Sequence, residues 1–225
     1  MRDAEVLRQK REKVADAAFD LFLKRGFHGT TTRDVTRRAG ISAGALFTYF
    51  PSKEDILVHI ITREQERAES EFLDVLRQQI DAAVRNNADP ETVFVTVFAA
   101  FVRSVDRMRR FILLAYQETK SLNQPARQAL IAREKRLQAV LGEAIEYGVQ
   151  RGRFAPGNIG LKAHNLMVLA HAWAIRHWVF VGAMNSVEEY IAFLQPLVLA
   201  MLEKKAELST AAGGQRAISQ FAPAK

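Results

Sequence analysis

Apolar residues recur three and four positions apart along almost the whole chain, and nowhere do they alternate with the β-branched enrichment that a strand requires. That periodicity restricts the chain to an all-α fold. Helix-start and helix-stop residues then divide it into about nine helices. The first pattern runs from about Arg8 to Arg25, with Val14, Ala18, Leu21 and Phe22 on one face, and stops at Gly26. Thr30 and Thr31 offer hydroxyls to cap a second helix, Thr32 to Ala39, which Gly40 ends. Ser42 caps a third helix through Phe50. Ser52 caps a fourth that reaches about Asn86, with Glu54 and Asp55 in its first turn favouring the helix dipole.

Asp89-Pro90 opens a fifth helix, a cap followed by proline at the first helical position. Met108 to Leu122 reads as a sixth, and Pro125 opens a long, charged seventh that ends near Gly148–Gly152. The eighth spans Asn158 to about Val181. Ser186, with Glu189 three residues on, forms a capping box for the ninth, in which Pro196 should produce a kink. The short helices make an N-terminal unit, residues 1–53. A larger helical unit follows, residues 54–207, and 208–225 reads as a disordered tail. No Gly/Pro linker separates the two units, so the long fourth helix should join them rigidly.

The chain has 225 residues and is 48% hydrophobic, enough to bury a sizeable core. Having no cysteine, it has no disulfide, thiolate metal site or thiol nucleophile, which fits a cytoplasmic location. The two longest uncharged runs, Ala163–Ile175 and Tyr190–Leu202, have 13 residues each. A bilayer span needs roughly 18–20. The charge of +7 and isoelectric point near 9.9 suit a polyanionic partner, though ordinary solubilising charge explains them as well. Residues 1–55 hold 11 Lys and Arg against 8 Asp and Glu, about twice as basic per residue as the rest.

The punctuation is densest in "RRAGISAGALFTYFPSKED", Arg37 to Asp55. Two short helices joined by a glycine turn make a helix-turn-helix, whose second helix can lie in the DNA major groove. Val35, Ile41 and Leu46 are apolar where the two helices must pack, and Gly40 sits where the turn needs a left-handed residue. A helix hairpin used only for packing would share these features.

The stretch "AAFDLFLKRGFHGTTTRDVTRRAGISAGALFTYFPSKEDIL" resembles the DNA-binding region of the tetracycline-repressor (TetR) family of bacterial regulators. The agreement lies in "LFLKRGFHGTT", "AGIS", "G-x-LF-x-YF" and "SKED-x-L", and covers about the first 57 residues. The resemblance implies that Thr32 and Arg33 meet phosphate or a base edge. It also implies that Ser42, Ala43, Gly44, Phe47 and Thr48 face the major groove, and that Tyr49 and Lys53 contact phosphate. Phe47 stands where the family often has tyrosine, and Thr36 where it usually has alanine.

For the rest of the chain the family implies a homodimer built from the last two helices. "LMVLAHAWAI" and "YIAFLQPLVLAML" are apolar enough to need such cover, unless both helices are buried within one subunit. It also implies an effector pocket among helices four to eight, whose occupancy tilts the fourth helix and releases a palindromic operator. Phe98, Phe101, Tyr116, Gln117, Asn165, Trp173, His177 and Trp178 are the candidates for its lining, against the plainer reading that an aromatic stripe is core. His164 and His171 lie seven residues apart without an acidic partner in register, so no metal is expected.

Residues 111–154 look similar to family regulators of fatty-acid or other acyl-CoA degradation, with Lys120, Arg127, Arg133 and Arg136 placed to meet CoA phosphates or simply to form a solvated face. The rival effector is a hydrophobic xenobiotic, as in regulators of efflux genes. A non-specific architectural DNA binder is the alternative of another class. An enzyme is not expected: the chain has no Gly-rich phosphate loop after a strand, no H-E-x-x-H and no nucleophile elbow. A ligand-responsive repressor, without cofactor or membrane partner, is the reading that unites these features.

Overall fold

The computed structural model describes residues 2–203, and for 2–4, 67–72, 74 and 75 only the backbone. The tail expected from Leu208 lies outside the described residues. Those residues form ten α-helices and one 3-10 turn. The first three helices are α1 (Arg2–Arg25), α2 (Thr32–Ala39) and α3 (Ala43–Tyr49). After them come α4 (Lys53–Arg85), α5 (Pro90–Arg107), α6 (Arg109–Glu118) and the 3-10 turn Thr119–Ser121. The last are α7 (Gln124–Gln150), α8 (Ile159–Ile175), α9 (His177–Phe180) and α10 (Val187–Leu202).

Most starts follow the chemistry read from the sequence. The side chains of Thr31, Ser42, Ser52, Asp89, Asn123, Asn158 and Ser186 each accept a hydrogen bond from the backbone N–H three residues on. These caps satisfy donors that a helix start otherwise leaves unpaired. Thr30 does not cap: its hydroxyl is buried and donates to Gly26 O at 2.9 Å, leaving Thr31 and Asp34 to form a reciprocal capping box. At α10 the expected box is only half made. Glu189 N donates to Ser186 Oγ, but the Glu189 carboxylate accepts from Asn185 N.

One expected helix is two. The run from Asn158 toward Val181 breaks at Arg176, and the break lets Phe180 stack on Trp173 (5.7 Å between centroids) and against Tyr190 (5.1 Å). Burying those aromatic faces together outweighs one continuous helix. Pro196 lies inside α10 without ending it.

Helix α1 packs on α2, α3, α4 and α6, while α4, α5 and α8 pack around α7. Phe22, Leu46 and Phe50 fill the core of the first unit, and Phe94, Phe98, Leu141 and Phe154 that of the second. Helix α4 runs unbroken from one to the other. No helix among the described residues is long and apolar enough to cross a membrane.

Candidate nucleic-acid interface and effector cavity

Helix α2 ends because Gly40 adopts the left-handed conformation (φ 66°, ψ 43°) that a side chain would resist, and the N–H groups of Gly40 and Ile41 turn back onto Thr36 O. Val35 and Leu46 are buried and Ile41 half-buried, so the α2–α3 crossing is set by apolar contact. Thr36, in place of a smaller residue, fits there because its hydroxyl donates to Arg33 O at 3.0 Å.

The outer face is then fixed. Arg33, Ser42, Ala43, Gly44, Phe47 and Thr48 are exposed and Thr32 is half-exposed. Phe47 is 54% exposed, a large apolar side chain on a seven-residue helix with nothing covering it. A Cβ added at Gly44 would meet nothing within 4 Å, so packing inside the protein does not require glycine there. The bare position leaves room for another backbone to come close.

Two of the nine residues stand apart. Tyr49 is half-buried against the core. Lys53 is not directed at solvent: its ammonium donates to Phe27 O at 2.7 Å and Thr30 O at 2.8 Å and lies 4.2 Å from the centroid of the Phe27 ring. Those contacts tie the start of α4 to the α1–α2 turn, a role the motif alone did not show.

In the second unit a cavity of about 420 Å³ opens between α6, α7 and α8. Ala115, Leu130, Ile131 and Met167 form its apolar walls, and Tyr116, Thr119, Glu134, Lys135, Gln138 and His164 its polar points. Burial holds the Glu134 carboxyl above the usual carboxylate range. Beside the cavity, the Tyr116 hydroxyl lies 3.1 Å from Nδ1 of His171. His171 is 4% exposed, and burial, reinforced by the charge of Arg133, pushes its pKa down to about 4. Its ring is therefore neutral at ordinary pH, with Nδ1 free to accept from the tyrosine.

Of the eight expected lining residues, only Tyr116 reaches this cavity. Phe98, Phe101 and Trp173 are core: Phe98 stacks on Phe94, Phe101 lies against His171, and Trp173 packs on Tyr190 while donating to Asp106 Oδ1 at 2.7 Å. Asn165 is exposed on α8. Gln117, His177 and Trp178 instead line, together with Tyr116, a second pocket of about 540 Å³ bounded by Leu113, Ala174 and Ile175. Two of the basic residues are engaged internally. Arg127 donates to the carbonyl oxygens of Thr119, Lys120 and Leu122, and Arg133 is buried beside Met108 and the Phe111 ring. The residues missed, among them Leu130, Ile131 and Met167, look like any core apolar position. Only the gap between three helices distinguishes them.

Comparison with known proteins agrees with this architecture. Residues 14–60 match the family described as "Bacterial regulatory proteins, tetR family", and residues 87–180 match "Tetracyclin repressor-like, C-terminal domain". The chain belongs to the TetR family of transcriptional regulators. It is 29% identical to the HTH-type transcriptional regulator HbdR of Aromatoleum sp. (strain CIB), over 84% of this chain and 79% of the relative. A tetR-family regulatory protein from Rhodococcus RHA1 superposes with a TM-score of 0.72 at 20% identity, over 88% of this chain and 98% of that one. FadR from Bacillus subtilis, solved in complex with stearoyl-CoA, superposes with a TM-score of 0.59 at 20% identity, over 85% of this chain and 97% of that one. At that identity the two structures speak for the fold.

Proposed function

We propose that this regulator is a repressor that binds a two-fold operator as a homodimer and is released by a small acyl or aromatic acyl effector, carried as its CoA thioester. Residues 1–53 read DNA, and 54–207 bind the effector and the second subunit. The observation that carries the reading is the uncovered face of α3, where Gly44, Phe47 and Thr48 point outward while Val35, Ala39 and Leu46 are buried on the opposite side. Arg33, at the exposed start of α2, is placed to meet a guanine edge or a phosphate, and Phe47 to meet a thymine methyl.

Pairing of two subunits has its own support. Phe193, Leu197 and Met201 recur every four residues along α10 and are 46–55% exposed, with Leu161 and Val168 of α8 adding to the exposed apolar surface. The cavity lies at the small end of the roughly 300–1,000 Å³ of ligand pockets. It has room for an acyl or aromatic group, with the nucleotide remaining outside. The stearoyl-CoA held by FadR is the precedent on this fold. The internal engagement of Arg127 and Arg133 favours a second effector reading, a neutral hydrophobic compound, because it leaves fewer cations for CoA phosphates.

The test is a footprint of the DNA upstream of the chain's own gene, followed by anisotropy titration with octanoyl-CoA, benzoyl-CoA and free benzoate. Protection of two half-sites about one helical turn apart supports the dimeric regulator, and uniform protection sinks it. Release by a thioester but not by the free acid supports the acyl-CoA class. Native mass spectrometry of the purified protein reads subunit number and any retained ligand together.

A further inference from the structure

Phe27, in the turn between α1 and α2, has both of its backbone polar groups held by helices outside the three-helix unit. Its N–H donates to Glu118 Oε1 at the end of α6, at 2.9 Å, and its C=O accepts from Lys53 at the start of α4, at 2.7 Å. Gly26, left-handed at φ 75°, turns the chain so that the Phe27 amide leaves the α1 ladder and faces that carboxylate. Glu118 is only 7% exposed, and its second oxygen accepts from Ser121 Oγ at 2.9 Å. Hydrogen bonds to a buried charge are short and hold direction well.

The turn in turn fixes α2. Thr30 is buried with its hydroxyl bonded to Gly26 O, and Thr31 is the α2 cap, so Thr32 and Arg33 are carried rigidly with Phe27. A second strut runs alongside: Asp20 of α1 accepts from both Arg38 of α2 and Arg110 of α6. Within one turn of Glu118, Ala115 of α6 and Thr119 of the 3-10 turn form part of the cavity wall.

We propose that Glu118 is a positioning residue for operator binding: it couples the place of α6, and hence the state of the cavity, to the α1–α2 turn and the start of α2. The proposal rests on the regulatory reading above. A bond of 2.9 Å fails beyond roughly 3.5 Å, so an α6 shift of more than about 0.6 Å either breaks the link or moves the turn. The signal then has two routes into the first unit, the continuous rod of α4 through Lys53 and the shorter strut through Glu118.

A double-mutant cycle on operator affinity tests this without knowledge of the effector. Ala115→Phe crowds the cavity from its α6 wall. It is expected to weaken operator binding by about tenfold in the parent chain and by less than about twofold in Glu118→Ala, a typical coupling between sites. Glu118→Gln keeps an oxygen for the Phe27 amide and should restore at least about fivefold of the effect, which a merely structural glutamate would not do. Equal weakening in both backgrounds, or no weakening by Ala115→Phe, overturns the proposal. Should Glu118→Ala not fold, backbone hydrogen exchange over residues 26–31 of Ala115→Phe decides instead. Faster exchange there than in the parent supports the strut, and unchanged exchange overturns it. A parent chain that binds no upstream DNA defeats the regulatory reading alone, because the exchange measurement needs no DNA.

Discussion

At residue 44 a side chain would meet nothing in the protein, so Gly44→Ala separates folding from DNA reading. Alanine is favoured over glycine in a helix by up to about 0.8–1 kcal/mol in an interior and by less at this second position, so the variant should melt slightly higher. The same methyl stands on the face proposed for the groove, and operator affinity should fall by about tenfold or more. Calorimetry and anisotropy read the two effects apart, and equal affinity would remove Gly44 from the interface. His171 gives the pH counterpart. Its folded pKa of about 4 lies below the unfolded value, so between those values the unfolded chain holds the extra proton. Stability is therefore complete above about pH 6.5 and is lost as pH falls toward 4, on the order of 3 kcal/mol in all. His59 and His177, also lowered chiefly by burial, act in the same sense. His171→Leu should flatten the unfolding free energy between pH 6.5 and 4 relative to the parent; parallel curves would refute the assignment.

Among the elements, α4 is anchored to α1 by one buried guanidinium. Arg63 donates to Glu12 at 2.7 Å and Asp16 at 2.8 Å and pairs with Glu64, with its side chain 9% exposed. Arg63→Met keeps the stem but takes the guanidinium from Glu12 and Asp16, leaving His59 3.3 Å from Glu12, which should cost about 2 kcal/mol in urea unfolding and, being sheltered, vary little with salt. A loss within 0.5 kcal/mol, or one abolished by about 1 M salt, would place the pair among ordinary surface contacts. Helix starts such as Ser42, Ser52 and Asp89 were readable because a cap is local chemistry, decided within three residues. The break at Arg176 was not. It follows from Trp173 meeting Phe180 and Tyr190, partners that no spacing rule connects. The bonds of Lys53 to the carbonyl groups of Phe27 and Thr30 were hidden for the same reason: partners more than twenty residues away in sequence leave no mark in the motif. The exposed face of α3 was legible from the turn glycine and the buried Leu46, whereas the cavity wall was not, since Leu130 and Met167 differ from core residues only by what is missing beside them.

For the molecule as a whole, the exposed apolar row on α10 carries the proposed pairing. Leu197→Glu places a charge at its centre and should yield a monomer by ultracentrifugation, with operator affinity lowered by at least about a hundredfold through loss of the second half-site. A variant that stays dimeric would move the interface elsewhere. The chain's two tryptophans lie five residues apart in opposite surroundings, Trp173 3% exposed and Trp178 72% exposed. One indole is already out of water, so its emission should stay blue and constant whatever the chain does short of unfolding. The other stands on α9 in the pocket it shares with Tyr116 and Gln117. A compound that enters that pocket should therefore shift only the red part of the spectrum, giving the protein an internal optical gauge of its occupancy.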